Sequence, residues 1–181
     1  LAFLFSSYFV WNYMLQTISS GTFLLVEHGQ LIRSVAFPKE VPVLAGVISR
    51  LVEFGIELSL VLIAVCIWHH HGIPLSFTVL PYLILIQFIL ALGLVFPIAA
   101  LAIFYRDIQH LIPIVLTTLF YVSPVFYPVT MVPEFMRPYY MANPVARILT
   151  LFRQVIYEGV IPSIADLGAM TLIAVLLLGV G

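Results

Sequence analysis

The chain has 181 residues, 63% hydrophobic and 8% charged, with a formal net charge of −1. A soluble domain must clothe its surface and normally carries about 25% charged residues, so this composition, with a mean hydropathy of +1.18, excludes an ordinary soluble domain. The small net charge leaves no basic face for nucleic acid or another acidic polymer, and the single cysteine, Cys66, cannot form an intrachain disulfide.

Residues 1–25 form the first apolar run, long enough to cross a bilayer as a helix. Asn12, Gln16, Ser19 and Ser20 recur on one helical face and make a polar stripe. It reads as a contact with another helix, or alternatively as a surface that touches sugars. Trp11 and Tyr13 are expected to pack as bulk, with a stacking surface as the other reading. Residues 26–42 are polar and broken, holding Glu27, His28, Gly29, Arg33, Lys39 and Glu40. Pro38 and Pro42 bar a continuous helix there. GQLIRSVAF, from Gly29 to Phe37, predicts a short helix at the membrane surface; an ordinary charged loop is the alternative.

The second run, 43–68, carries Arg50, Glu53 and Glu57 on one face at i, i+3 and i+7. Glu57 lies about 20 Å along the helix from Val43, near mid-depth. A carboxylate there costs on the order of 3 kcal/mol unless paired or neutralised. An ion pair with Arg50 or a partner on another helix is expected, with a role in a transport pathway as the alternative. His69, His70 and His71 follow; adjacent helical side chains point about 100° apart, so they read as an interfacial turn and not as a metal tract.

The third run, 77–104, has no formal charge, and Gly93 with Pro97 predicts a kink near 93–97. Residues 105–110, with Arg106 and Asp107, read as a tight polar turn before a fourth run, 111–128. The segment after it is too irregular to cross a membrane and too apolar for a loop. Non-helical backbone at membrane depth needs protein or a water-filled cavity around it, so a re-entrant hairpin is expected over 131–160. Asn143–Pro144 is a helix start, and Gly159 before Pro162 is a stop. The 15 residues between them make a helix of about 22 Å, short of the ~30 Å hydrocarbon core. Arg147, Thr150, Gln154 and Glu158 line its polar face; Ile148, Leu149, Phe152 and Ile156 line its apolar face. A fifth run occupies 165–181.

The expected fold is all-α: one polytopic transmembrane bundle over 1–181 with a re-entrant outer hairpin. The sequence reads as a piece truncated at both ends, since it lacks an initial methionine and stops within an apolar run. Basic residues in short loops mark the cytoplasm, which places 27–42 and 105–110 inside. Parity then places 129–163 outside despite Arg137, Arg147 and Arg153. There is no GxxxxGK[ST], HExxH, GxSxG or CxxC, so neither an enzyme nor a nucleotide site is expected.

Four stretches carry a family resemblance: LIRSVAFPKEVPVLAGVISRLVEF, RDIQHLIP, SPVFYPVTMVP and NPVARILTLFRQVIYEG. In order and spacing they resemble ABC-2 type membrane subunits, above all the permeases that export lipid-linked polysaccharides such as O-antigen, capsule or teichoic acid. The resemblance implies an ATP-driven exporter in a bacterial or archaeal cytoplasmic membrane, crossing it several times. It implies a second copy of the chain as partner, two ATP-binding subunits holding ATP and Mg, and a lipid-linked glycan as load. This chain is expected to hold no cofactor and to bind no nucleic acid. Arg33, Phe37, Pro38, Lys39 and Glu40, with Arg106 and Asp107, are the implied contacts to the ATPase. Pro124, Tyr127, Pro128, Asn143, Pro144, Arg147 and Arg153 are the implied outer gate. An amphipathic helix and one further membrane helix are expected before Leu1. The alternatives are an ABC-2 exporter of drugs, lipids or other small molecules, an ion-coupled secondary transporter using Glu57, or a structural membrane protein.

Overall fold

The computed structural model describes residues 2–27, 40–69, 74–105, 107–127 and 131–181. Helix α1 spans Ala2–Glu27 and α2 spans Glu40–His69. A 3-10 turn, Leu75–Val79, leads into α3, Leu80–Phe104. Then follow α4, Ile108–Val122, a short α5, Arg137–Ala142, α6, Pro144–Arg153, and α7, Ile164–Val180. No strand occurs among the described residues.

The pattern of α2 shows how these helices pack. Val43, Val47, Phe54, Leu58, Val61 and Val65 recur at helical spacing and are buried, while Leu44, Ile48, Val52, Ile56, Leu60, Ile63 and Ile67 stay exposed. A helix apolar on both its packed and its open face suits an environment that is itself apolar. Among the described residues, Leu75–Phe104 is the one helix long and apolar enough to cross a membrane by length and composition. Ile108–Val122 and Ile164–Val180 are apolar but shorter.

Helices α1, α3 and α7 run parallel. Gln87 Nε2 donates to the Val10 carbonyl at 3.2 Å, and further along the same two helices Gly21 lies against Val95. The Tyr82 and Thr171 hydroxyls meet at 2.8 Å, and further along Gly93 lies against Leu177 and Leu178. Helix α2 runs the other way, with Asn12 opposite Glu57 and Tyr13 opposite Phe54. The bundle therefore has two distinct ends. One gathers the start of α1, the 3-10 turn and the α6 region: Phe3 meets Tyr157 ring to ring, and Ser76 Oγ donates to the Val155 carbonyl at 2.9 Å. At the other end α1 finishes, α2 begins and α3 turns into α4.

Several boundaries differ from the sequence expectation. Helix α2 starts at Glu40, so Pro42 sits in its first turn, where the amide that proline lacks has no intrahelical partner anyway. Ile108, Gln109 and His110 belong to α4, which confines the turn to its first residues. Helix α4 stops at Val122, short of the expected 128. Ser123 takes φ −77, ψ 149 because a residue before proline is pushed out of the helical region. At 15 residues, α4 is about 22 Å long. Helix α3 runs on through Pro97 to Phe104.

Around the predicted hairpin, Asn143 Oδ1 accepts from the Val145 amide at 3.0 Å, and Gly159 takes φ +67. Both expected helix ends are therefore present. Between them α6 widens after Arg153 into a π turn, Gln154–Glu158. Ile148, Leu149, Phe152 and Ile156 are buried as the apolar face. Helix α5 has no counterpart in the sequence reading, and neither does the Ser163 cap of α7, whose Oγ accepts from the Asp166 amide.

Candidate functional site

Among the described residues, the densest polar arrangement centres on Arg153, the last residue of α6, whose exposure is 3%. Its Nη2 donates to Ser7 Oγ on α1 at 2.7 Å, to the Pro124 carbonyl, and to the Val125 carbonyl at 3.1 Å. Its Nη1 donates to the Tyr127 carbonyl at 3.3 Å. The guanidinium carbon lies 4.0 Å from the centroid of the Phe3 ring, a cation–π contact. No carboxylate among the described residues lies within ion-pair distance of it.

The physical reason lies in the neighbouring turn. Prolines break the chain after α4, and helix ends leave carbonyls without intrahelical partners. A planar fork of five donors suits several such carbonyls at once. Burial pulls the Arg153 pKa down from the ordinary arginine value, while the Glu158 charge works the other way. An arginine starts so high that it stays charged.

Of the rest of the expected outer gate, Pro124 and Tyr127 meet Arg153 directly, and Asn143, Pro144 and Arg147 lie towards the other end of the same helix. The Tyr127 hydroxyl is 2.8 Å from the Val122 carbonyl, to which it donates, and 2.9 Å from the Tyr140 hydroxyl. Pro124 is buried and offers its carbonyl to Arg153. Asn143 and Pro144 start α6. Arg147 reaches across to α7 and pairs with Asp166 at 3.0 Å. Pro128 lies outside the described residues. Ser7, Phe3, Tyr140 and Asp166 were not singled out from the sequence. A serine in an aromatic-rich run and an acid near a helix start are common features, and nothing in the sequence pairs them with arginines far along the chain.

A second polar feature is a small open pocket between α1 and α2, lined by Asn12, Tyr13, Gln16, Arg50, Glu53, Phe54 and Glu57. Arg50 pairs with Glu53 at 2.7 Å, not with Glu57. Glu57 instead accepts from Asn12 Nδ2 at 3.3 Å, so its partner lies on another helix, on the polar stripe of α1. Trp11 and Tyr13 are buried as packing bulk. The Tyr13 ring meets Phe54 at a tilt, 5.2 Å between centroids, and Phe54 meets Phe152 edge to face at 5.9 Å, linking this seam to α6.

Of the expected ATPase contacts, Glu40 opens α2, and the Asp107 carbonyl accepts from the His110 and Leu111 amides. Arg33, Phe37, Pro38, Lys39 and Arg106 lie outside the described residues, as do His70 and His71 of the histidine turn. Among the described residues no three His, Cys, Asp or Glu side chains cluster as metal ligands.

Residues 2–157 match the sequence profile of the ABC-2 type transporter family. The chain is 29% identical to the O-antigen export system permease protein RfbA of Myxococcus xanthus, over 97% of this chain and 68% of that protein. Two proteins of Klebsiella pneumoniae carrying the same name are 24% and 22% identical, over 88% and 87% of this chain and 61% of each of them. The chain thus spans about two thirds of the length of these relatives. With a family match across most of its length and an all-helical bundle to go with it, the chain belongs to the ABC-2 type transporter family, whose members are membrane subunits of transport systems.

Proposed function

We propose that the chain is the membrane-spanning permease subunit of an ATP-driven exporter of lipid-linked polysaccharide across the cytoplasmic membrane of a bacterium or archaeon. The similarity to three O-antigen export permeases, each along 87% or more of this chain, carries the reading. Two copies act with two separate ATP-binding subunits, which hold ATP and Mg. Helices α1 and α2, the helix 75–104, α4 with its following turn, and α7 cross the membrane. Residues 131–160 form a re-entrant cap on the outer side, and 27–42 and 105–110 meet the ATPase on the inner side. The two-ended bundle supports this arrangement: the α6 region lies at one end, whereas α1 finishes, α2 begins and α3 turns into α4 at the other.

Co-expression with the product of a neighbouring ATPase reading frame tests it. The two proteins are expected to co-purify, and vesicles holding both to move lipid-linked glycan only with ATP. Transport driven by an ion gradient without any ATPase would replace this reading with a secondary carrier, and transport of small drugs or lipids alone would replace the substrate.

A further inference from the structure

We infer that Arg153 is a latch: one buried guanidinium fixes the turn 123–127 and the first turns of α1 to α6, so the three segments hold or release together. Three separate pieces of chain converge on this side chain, and each supplies something different. The turn gives the carbonyls of Pro124, Val125 and Tyr127; α1 gives Ser7 Oγ and the Phe3 ring; α6 gives the arginine.

The absence of an acid among these partners sets the behaviour. Against a carboxylate the arginine would be held mainly by one strong pair. Here it is held by dipoles of modest individual strength, whose directions depend on the turn keeping its shape. If the turn or α1 shifts, the buried charge loses several partners at once, and a buried unpaired charge is costly. Partial loosening is therefore disfavoured, and the arrangement is held or released as a whole. Beside it, Ser123 is buried at 1% exposure in the same turn, and its hydroxyl has no hydrogen-bond partner. It reports on the turn without taking part in the hub.

The functional part rests on the proposed export role, in which the cap must move when the load leaves. Arg153 is then a positioning residue for that movement. The first test needs no transport. Ser123→Cys in a Cys66→Ala background is labelled with a small thiol reagent in membranes, with Arg153 intact and as Arg153→Lys or Arg153→Gln. Lysine keeps the charge but not the fork. Labelling is expected to quicken by about tenfold or more in both variants, as local opening becomes easier, and an unchanged rate overturns the latch.

The second test measures ATP hydrolysis and glycan export on the same reconstituted complex. With Arg153→Lys, export is expected to fall by about tenfold while hydrolysis stays within about twofold, since only a coupled element separates the two. Equal loss of both in an assembled complex makes Arg153 merely structural. If the arginine variants fail to insert, Ser7→Ala with Phe3→Leu weakens the same hub without stranding a charge. It must then quicken Ser123→Cys labelling, or the proposal falls. A wild-type chain that exports nothing with any ATPase removes the export role but leaves the labelling result to decide the latch.

Discussion

Glu57 lies midway along α2 and accepts a hydrogen bond from Asn12 across the helix seam. The sequence alone leaves two partners open, Arg50 on the same helix or a group on another helix. The geometry gives Arg50 to Glu53, three residues away, with side chains 33% and 58% exposed. An exposed pair of that kind contributes about 0–1 kcal/mol, so Arg50→Ala is expected to be mild. Glu57→Gln keeps an oxygen for the Asn12 amide and is expected to leave thermal stability in detergent nearly unchanged. Glu57→Leu removes that acceptor and is expected to cost about 1 kcal/mol, the usual net value of such a bond. A Glu57→Gln protein that assembles normally yet exports nothing would contradict a structural role and favour ion coupling.

Between elements, the contact of α3 with α7 is closest at Gly93. A Cβ built on Gly93 would lie 2.6 Å from the Leu178 nitrogen and 2.8 Å from the Leu177 carbonyl carbon, both backbone atoms that cannot swing aside. The glycine therefore serves close helix approach, the use small residues have between helices in membranes. Gly93→Ala is expected to cost about 1–3 kcal/mol, as overpacking commonly does, and to lower membrane abundance. Gly55→Ala on α2 is the control. Its Cβ would meet nothing within 4 Å, and alanine is the better helix former by about 1 kcal/mol. Equal loss in the two variants would show that α3 and α7 do not pack this closely.

The whole bundle has opposite ends with different proposed tasks. Glu134 and Glu158 are both exposed and belong to the proposed cap. In a Cys66→Ala background, Glu134→Cys and Glu158→Cys are expected to react with an impermeant thiol reagent applied to intact cells. Labelling only after permeabilisation would invert the topology. On the proposed reading the other end receives the push of the ATPase, and 27–42 is the longer of the two proposed contact segments. Phe37→Ala with Pro38→Gly is expected to preserve insertion while weakening ATPase binding or uncoupling hydrolysis from export. Reversal of charge at Lys39 should do much less, since exposed ion pairs are individually weak. Unchanged coupling in the double variant would move the contact to Arg106 and Asp107.

The sequence by itself determined what depends on near neighbours. Asn143, Pro144 and Gly159 bound their helix because a cap, a fixed φ and a positive φ are properties of single residues. Its apolar face was legible because helical spacing alone puts Ile148, Leu149, Phe152 and Ile156 together. Local sequence also holds the early end of α4, since Pro124 dictates it, but length of apolar run hid it. The tertiary structure decided what depends on distant chain: that Glu57 faces Asn12, that Gly93 admits α7, and that Arg153 is buried while Arg147 reaches Asp166. Two arginines on one short helix look alike in the sequence. Only the packing of α1 and the broken turn after α4 against α6 makes one of them a buried hub and the other a partly exposed tie, because a charge is buried only where enough oxygens converge to replace water.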